Sequence, residues 1–404
     1  MAEDLSLPPK TESGAPRLHA LDALRGIAAF IVLTMHCYLV WPDPLHQGPP
    51  KWLHLTPLRV FLSGHASVIL FFVLSGYVLA IPFLKGKKPP YISYVAKRFC
   101  RIYIPFAIAI LLAALLYSFS MPAAETLGSY WFNHEWKNFP LTPSIIMRHL
   151  LMTGQSNDIW LDGVIWSLAD ELRISIIFPL LILLCRNLRI AIFAAIAIYG
   201  GTTVILILMG YDYSLIIAHN LDITFLLTLR FVPFFMLGIL LVKFNKPIQA
   251  WFSRLNRTKR YSLLALALIA ICMPTDIRAD NSILGKIFTS LTLQHSMELI
   301  IDFVLAVAAG TIIVFARHEE KFTTFLNSRI AQWLGGISYS LYLTHLPILF
   351  FIFRGLLGKV PYGLICLIVI ATSLASATVF YMVIERPSIA LGKKISRWLE
   401  KKTA

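Results

Sequence analysis

Arg25 and His36 sit in one long apolar run, LRGIAAFIVLTMHCYL, residues 24–39. A helix would hold them roughly 16 Å apart, about half of a 30 Å hydrocarbon core. Other apolar runs carry Ser75-Gly76-Tyr77, Glu171 with Arg173, and Ser338, Tyr342 and His345; Arg98 and Arg101 stand at the head of a further one. Ionisable groups are costly in lipid, so each is a candidate for chemistry. A neutral imidazole steadied by a carboxylate is a general base. Guanidinium forks bind phosphate and other anions. Gly76, lacking a side chain, allows a ligand or another chain close to the backbone. Ser338, Tyr342 and His345 follow helical spacing and share a face.

The elements that must position these groups are membrane helices. The chain has 404 residues, of which 57% are hydrophobic and 14% charged, against about 25% charged in soluble proteins. Ten apolar stretches approach spanning length: 20–40, 61–81, 102–120, 163–184, 190–209, 223–242, 262–274, 299–316, 335–353 and 362–384. The expected fold class is an all-α integral membrane bundle of about ten transmembrane helices. A loose tail is expected over 1–18, the membrane domain over 19–387 and a basic tail over 388–404. No internal repeat is visible. The first run is too long for a cleaved leader, contains Asp22 and Arg25, and follows no basic leader segment.

Of 36 lysines and arginines, 25 fall in the N-terminus and every second loop after it, and 8 in the other loops. That asymmetry places both termini in the cytoplasm and favours an even number of spans. It also accounts for the net charge of +15, so no nucleic-acid partner is expected. The five cysteines lie in or beside apolar segments without zinc-site spacing; they read as small buried hydrophobes, and no metal is expected.

Orientation gives each polar group a depth. His36 and Glu171, with His65 as a further candidate, form an outer cluster suited to proton transfer. Arg25, Ser75, Gly76, Arg98 and Arg101 form an inner cluster suited to an anion. Plainer readings exist: Arg98 and Arg101 as headgroup anchors, Tyr342 and His345 as a packing pair, Arg230 and Asp302 as a structural ion pair, His65 at the water interface. The long outer loop, about 121–162, holds Trp131, Trp136 and Trp160, with Trp166 just beyond. These suit an interfacial belt or a stacking surface for sugar rings.

Six stretches resemble, in order, the motifs of the acyltransferase 3 family of membrane acyltransferases. RGIAAFIVLTMH is similar to its Arg–ten residues–His opening, and VILFFVLSGYVL to its FFxLSG(F/Y) segment. KRFCRIYIP resembles its Arg-x-x-Arg-Ile-Tyr-x-Pro stretch, and WSLADELRISIIFP its Trp-Ser-Leu-x-x-Glu…Pro motif. GGISYSLYLTHLP resembles its Ser-Tyr-x-Leu-Tyr-x-x-His helix, and VIERP its closing Glu-x-Pro. One departure is Ser175, where many members carry Tyr. The resemblance covers residues 20–390 and implies ten spans in a stand-alone form without a fused hydrolase-like domain.

It further implies transfer of an acyl group, usually acetyl, from cytoplasmic acetyl-CoA or another acyl-CoA to a hydroxyl outside the cytoplasm. Arg25 and His36 would be the essential pair, supported by Glu171, Arg98, Arg101 and the Ser75–Gly76 turn. The expected catalytic set is His36, Glu171 and Arg25; the expected substrate-binding set is Arg98, Arg101, Ser75, Gly76, Tyr342, His345 and Trp166. Glu171 would orient His36, and Tyr342, His345 or Arg173 would stabilise the oxyanion. Expected partners are membrane lipids, the acyl-CoA and a saccharide or lipid-linked glycan in the cell envelope. The expected location is the inner or plasma membrane. The competing class is a transporter or flippase of an acyl or sugar carrier, since buried His, Glu and Arg also build transport sites.

Overall fold

The computed structural model describes residues 19–41, 53, 56–86, 90–120, 128–136, 140–155, 160–209, 221–273 and 291–403. The expected loose tail over 1–18 lies outside them. Among the described residues every regular element is helical. The first half comprises α1 (His19–Leu39), a 3-10 turn (Pro57–Leu62), α2 (Gly64–Leu84), α3 (Tyr91–Phe119), α4 (Tyr130–His134), α5 (Pro143–Leu150), α6 (Ile165–Leu184) and α7 (Leu188–Leu208). The second comprises α8 (Leu221–Lys243), α9 (Asn245–Arg254), α10 (Arg257–Ile271), α11 (Leu291–His318), α12 (Glu320–Leu326), α13 (Arg329–Gly336), α14 (Ser338–Leu356), α15 (Tyr362–Phe380), a π turn (Tyr381–Glu385) and α16 (Arg386–Thr403).

Eight helices among the described residues are long and apolar enough to cross a membrane. The other two expected spans are helical but differ in kind. α6 carries Asp170, Glu171 and Arg173 in its first half, and α10 has only 15 residues. Large apolar side chains such as Phe119, Phe193, Leu208 and Val307 point outward, as they would toward lipid. The chain is an all-α integral membrane protein.

Helix starts follow local chemistry. The side chains of Ser129, Thr142, Asn187 and Asn256 each accept a hydrogen bond from a backbone N–H of the helix they precede, supplying acceptors that the helix itself lacks there. Helix association in lipid relies on close packing of small residues, and two glycine contacts set the frame. A Cβ at Gly76 of α2 would lie 2.2 Å from Phe235 O of α8, and one at Gly238 of α8 2.3 Å from Val73 O of α2. A Cβ at Gly26 of α1 would lie 2.4 Å from Gly335 N of α13. Gly76 was expected to admit a ligand or another stretch of chain; what it admits is the backbone of α8.

α14 runs through the middle, with Ser340, Tyr342, His345 and Phe350 all buried. α15, the π turn and α16 follow one another without an intervening loop. The expected basic tail is therefore helix over 386–403. It packs on α3, with Ser93 donating to Ser396 O at 3.2 Å and Gly392 seated against Cys100 and Lys97.

Candidate active site

A pocket opens beside the start of α1 and takes one polar group after another from different helices. Arg25 comes from α1, Ser75 from α2, Arg98 and Arg101 from α3, Ser167 and Glu171 from α6, and Tyr339 and Tyr342 from α14. The π turn contributes Tyr381 and Glu385. Turns of this kind inside α-helices recur at functional sites; here the extra residue turns Glu385 inward, where Ser340 donates to it at 2.6 Å.

The polar groups are wired together. Arg25 donates to Ser75 Oγ at 2.9 Å, and Ser75 donates to Glu171 Oε1 at 3.1 Å. Arg98 donates to the same Oε1 at 2.8 Å and to Ser175 Oγ at 2.9 Å. Ser175, which carried no expected role, thus holds the guanidinium of Arg98. The Nε of Arg98 is buried without a hydrogen-bond partner among the described residues. An unmade hydrogen bond at a buried charged donor is costly, and an anion in the pocket would supply the missing acceptor. Three guanidiniums and the carboxylates of Asp22, Glu171 and Glu385 line the cavity.

His36 sits elsewhere. Its ring is buried and lies against His345, with 3.2 Å between His36 Nδ1 and His345 Nε2. His345 Nδ1 faces Leu341 O at 3.0 Å and Tyr342 O at 2.9 Å, and His36 Nδ1 faces Val32 O at 2.9 Å. One assignment of neutral rings satisfies all four contacts. His345 donates through Nδ1 to the carbonyls, leaving its Nε2 as an acceptor. His36 donates through Nδ1 to Val32 O and to His345 Nε2. The lone pair of His36 is then on Nε2, the arrangement of a general base.

This corrects the expected couple of His36 with Glu171. The hydrogen-bond partners of Glu171 are Ser75 and Arg98, at the level of Arg25, about 16 Å of helix rise from His36. The reason is the start of α6. Leu161, Asp162 and Val164 are already buried, so the chain has entered the protein before the helix begins. Glu171 is six residues into α6, yet it meets Ser75, eleven residues into α2; α6 therefore starts about 7 Å deeper. Sequence gave no sign of that dip. The outer-cluster candidate His65 pairs with Asp302 at 2.6 Å. Asp302 also accepts from Arg230 at 2.7 Å and from Tyr199 at 2.9 Å, so Arg230 and Asp302 are the ion pair anticipated. Arg173, considered for an oxyanion, donates to Thr228 at 2.9 Å and lies 3.5 Å from Asp170.

The tryptophans of this region do not form one open stacking surface. Trp136 is buried and donates to Leu161 O at 3.1 Å. Trp131 lies with its ring centre 5.7 Å from that of His36, and Trp166 packs on Phe231 at 5.7 Å. Trp166 does not line the pocket; Trp160 is the exposed member. Tyr342 does line it, and its hydroxyl lies 2.7 Å from Ser167 Oγ. Sequence reasoning passed over Ser167, Ser340 and Asp22. Glu385 was visible as an acid beside an apolar run, but only the π turn turns it toward the arginines.

The model of the acyltransferase domain family, acyltransferase 3, matches residues 18–382. The O-acetyltransferase PaAT-1 of Phomopsis amygdali is 23% identical over 372 residues, a match covering 81% of this chain and 71% of that protein. No solved structure matches the chain. With the family matched along nearly the whole of the helical bundle, the chain belongs to the acyltransferase 3 family and is a membrane O-acyltransferase.

Proposed function

We propose that the protein moves an acyl group, acetyl foremost, from cytoplasmic acyl-CoA to a hydroxyl of an extracytoplasmic saccharide or lipid-linked glycan. The observation that carries this reading is the pairing of two unlike sites along α14. An arginine pocket with an unsatisfied guanidinium Nε suits the phosphates of the donor. One turn further along α14, an imidazole pair presents a free base nitrogen. The reading places the membrane domain over 19–387 in the inner or plasma membrane with both termini cytoplasmic. The lysine and arginine asymmetry supports that orientation.

In this scheme Arg98 and Arg101 bind phosphate, and Arg25 lies deeper on the path of the pantetheine arm. Glu171 neutralises the guanidiniums while the pocket is empty. His36 Nε2 takes the proton from the acceptor hydroxyl as its oxygen attacks the thioester carbon. His345 Nε2 accepts from His36 Nδ1 and so steadies the imidazolium that forms. The thiolate leaves as the tetrahedral centre collapses, and the proton passes from His36 to sulfur. A covalent acyl-histidine route uses the same nitrogen as nucleophile.

His36→Ala is expected to abolish ester formation from labelled acetyl-CoA in everted vesicles, while the protein stays inserted and monodisperse in detergent. Wild-type transfer in that variant would remove His36 from the mechanism. Label crossing the membrane without ester formation would favour a carrier of acyl or sugar groups instead.

A further inference from the structure

Among the described residues, the imidazole pair is not part of the lining of the arginine pocket. Ser167 and Tyr342 line the pocket; His36 and His345 do not. Between the two sites stands a short chain of hydrogen bonds. Ser167 donates to Val164 O at 3.1 Å. Its oxygen lies 2.7 Å from the Tyr342 hydroxyl, either of which can donate, and that hydroxyl also lies 3.5 Å from Val164 O. Phe71 of α2 meets the Tyr342 ring edge-on, with 5.5 Å between centres. The contacts of Ser167 and Phe71 with Tyr342 join α6 and α2 to the central helix, and Ser167 and Tyr342 are themselves buried. The same tyrosine reaches the other site through its backbone: its carbonyl accepts from His345 Nδ1 at 2.9 Å.

We propose that Ser167 is a positioning residue that latches Tyr342 across the passage between the donor pocket and the imidazole pair. The inference rests on the donor reading given above and names the residue that governs its inner end. An acyl arm entering from the arginines meets Tyr342 first. It reaches His36 only when the Tyr342 hydroxyl leaves Ser167, and the thioester carbonyl is then the nearest acceptor for that hydroxyl. While the latch is shut, water from the imidazole side is kept from the thioester. Unlatched, water replaces the acceptor alcohol: its oxygen bonds to the acyl carbon, the carbon–sulfur bond breaks, and a carboxylic acid and a thiol are released. A latch of this kind costs little to open, because one net hydrogen bond is worth little.

Two measurements test it. In otherwise unaltered chain, Ser167→Ala and Tyr342→Phe are expected to raise the ratio of acceptor-free thioester hydrolysis to ester formation by about tenfold. Ser167→Thr, which keeps the hydroxyl, restores the wild-type ratio. The second measurement needs no donor. Everted vesicles carrying His345→Cys are treated with a small methanethiosulfonate reagent, and mass spectrometry locates the adduct at position 345. Adding Ser167→Ala or Tyr342→Phe is expected to speed that labelling about tenfold, and adding Ser167→Thr is not. Equal labelling in all four backgrounds overturns the latch. Faster labelling with no thioester consumed by any variant, wild type included, leaves the latch standing and removes the acyl-CoA reading instead.

Discussion

Which ring nitrogen of His36 holds the proton decides what that side chain can do. Val32 O and His345 Nε2 both face Nδ1, so Nδ1 is the donor and Nε2 is left with the lone pair. A carboxylate was expected to do this steadying, and a second imidazole does it. The difference is chemical: a neutral imidazole acceptor withdraws a proton less strongly than a carboxylate, yet it still fixes the tautomer. His345→Ala leaves Val32 O as the remaining acceptor, and the ring of His36 gains freedom to turn. The expected result is a fall in kcat of about 10²-fold, with KM for the donor unchanged because neither histidine lines the arginine pocket. Steady-state kinetics in detergent with varied donor checks it; a raised KM and intact kcat would place His345 in donor binding.

At the scale of helices, α2 and α8 touch backbone to backbone, at the glycine that follows Ser75. Gly76→Ala and Gly238→Ala would each thrust a methyl into the facing backbone, at 2.2 and 2.3 Å. Overpacking of this order costs about 1–3 kcal/mol, so both variants are expected to lower the thermal midpoint in detergent. Gly200→Ala, where a Cβ meets nothing within 4 Å, is the neutral control. The connection from α4 to α6 is a second device at this scale, because the burial of Leu161, Asp162 and Val164 in it sets the depth of Glu171. Glu135 lies in it, and burial pushes its carboxyl up to about 7 from the 4.5 of an open chain. The folded state thus holds the proton more tightly than the unfolded one. Its contribution is fully present below about 4.5 and is lost as the pH rises through about 7. Hydrogen exchange of residues 128–155 is expected to quicken over that window, and Glu135→Gln to remove the dependence. A flat profile in the unaltered protein would show that Glu135 is not held neutral.

For the molecule as a whole, the proposed function takes the side on which each site opens from the distribution of positive charge. With 25 of 36 lysines and arginines in the loops on the side of the N-terminus, the proposed function assigns that side to the cytoplasm. On that proposed orientation the arginine pocket, beside the start of α1 and lined by Asp22, opens to the cytoplasm. On the same proposal His36, near the far end of α1, lies toward the acceptor. Single cysteines placed at either terminus are expected to react with an impermeant maleimide only in everted vesicles. Labelling of either one in intact cells would reverse or break the orientation on which the donor and acceptor assignments depend.

The helices were legible in the amino-acid order because lipid demands long apolar runs, and each of the ten expected stretches coincides with a helix. The family, too, was legible, since its motifs are local strings such as RGIAAFIVLTMH and WSLADELR. The groups able to do chemistry stood out for the same reason: an arginine, histidine or glutamate in such a run is costly and so marks itself as a candidate. What the order of residues left undetermined was which of them meet. Counting along a span gives depth only if every span starts at the membrane surface, and α6 starts below it. That offset moved Glu171 from the histidine to the arginines. His345 and Ser167 acquire their partners from helices more than 150 residues away in the chain, and such pairings depend on the rotation and depth of whole helices, which packing alone decides.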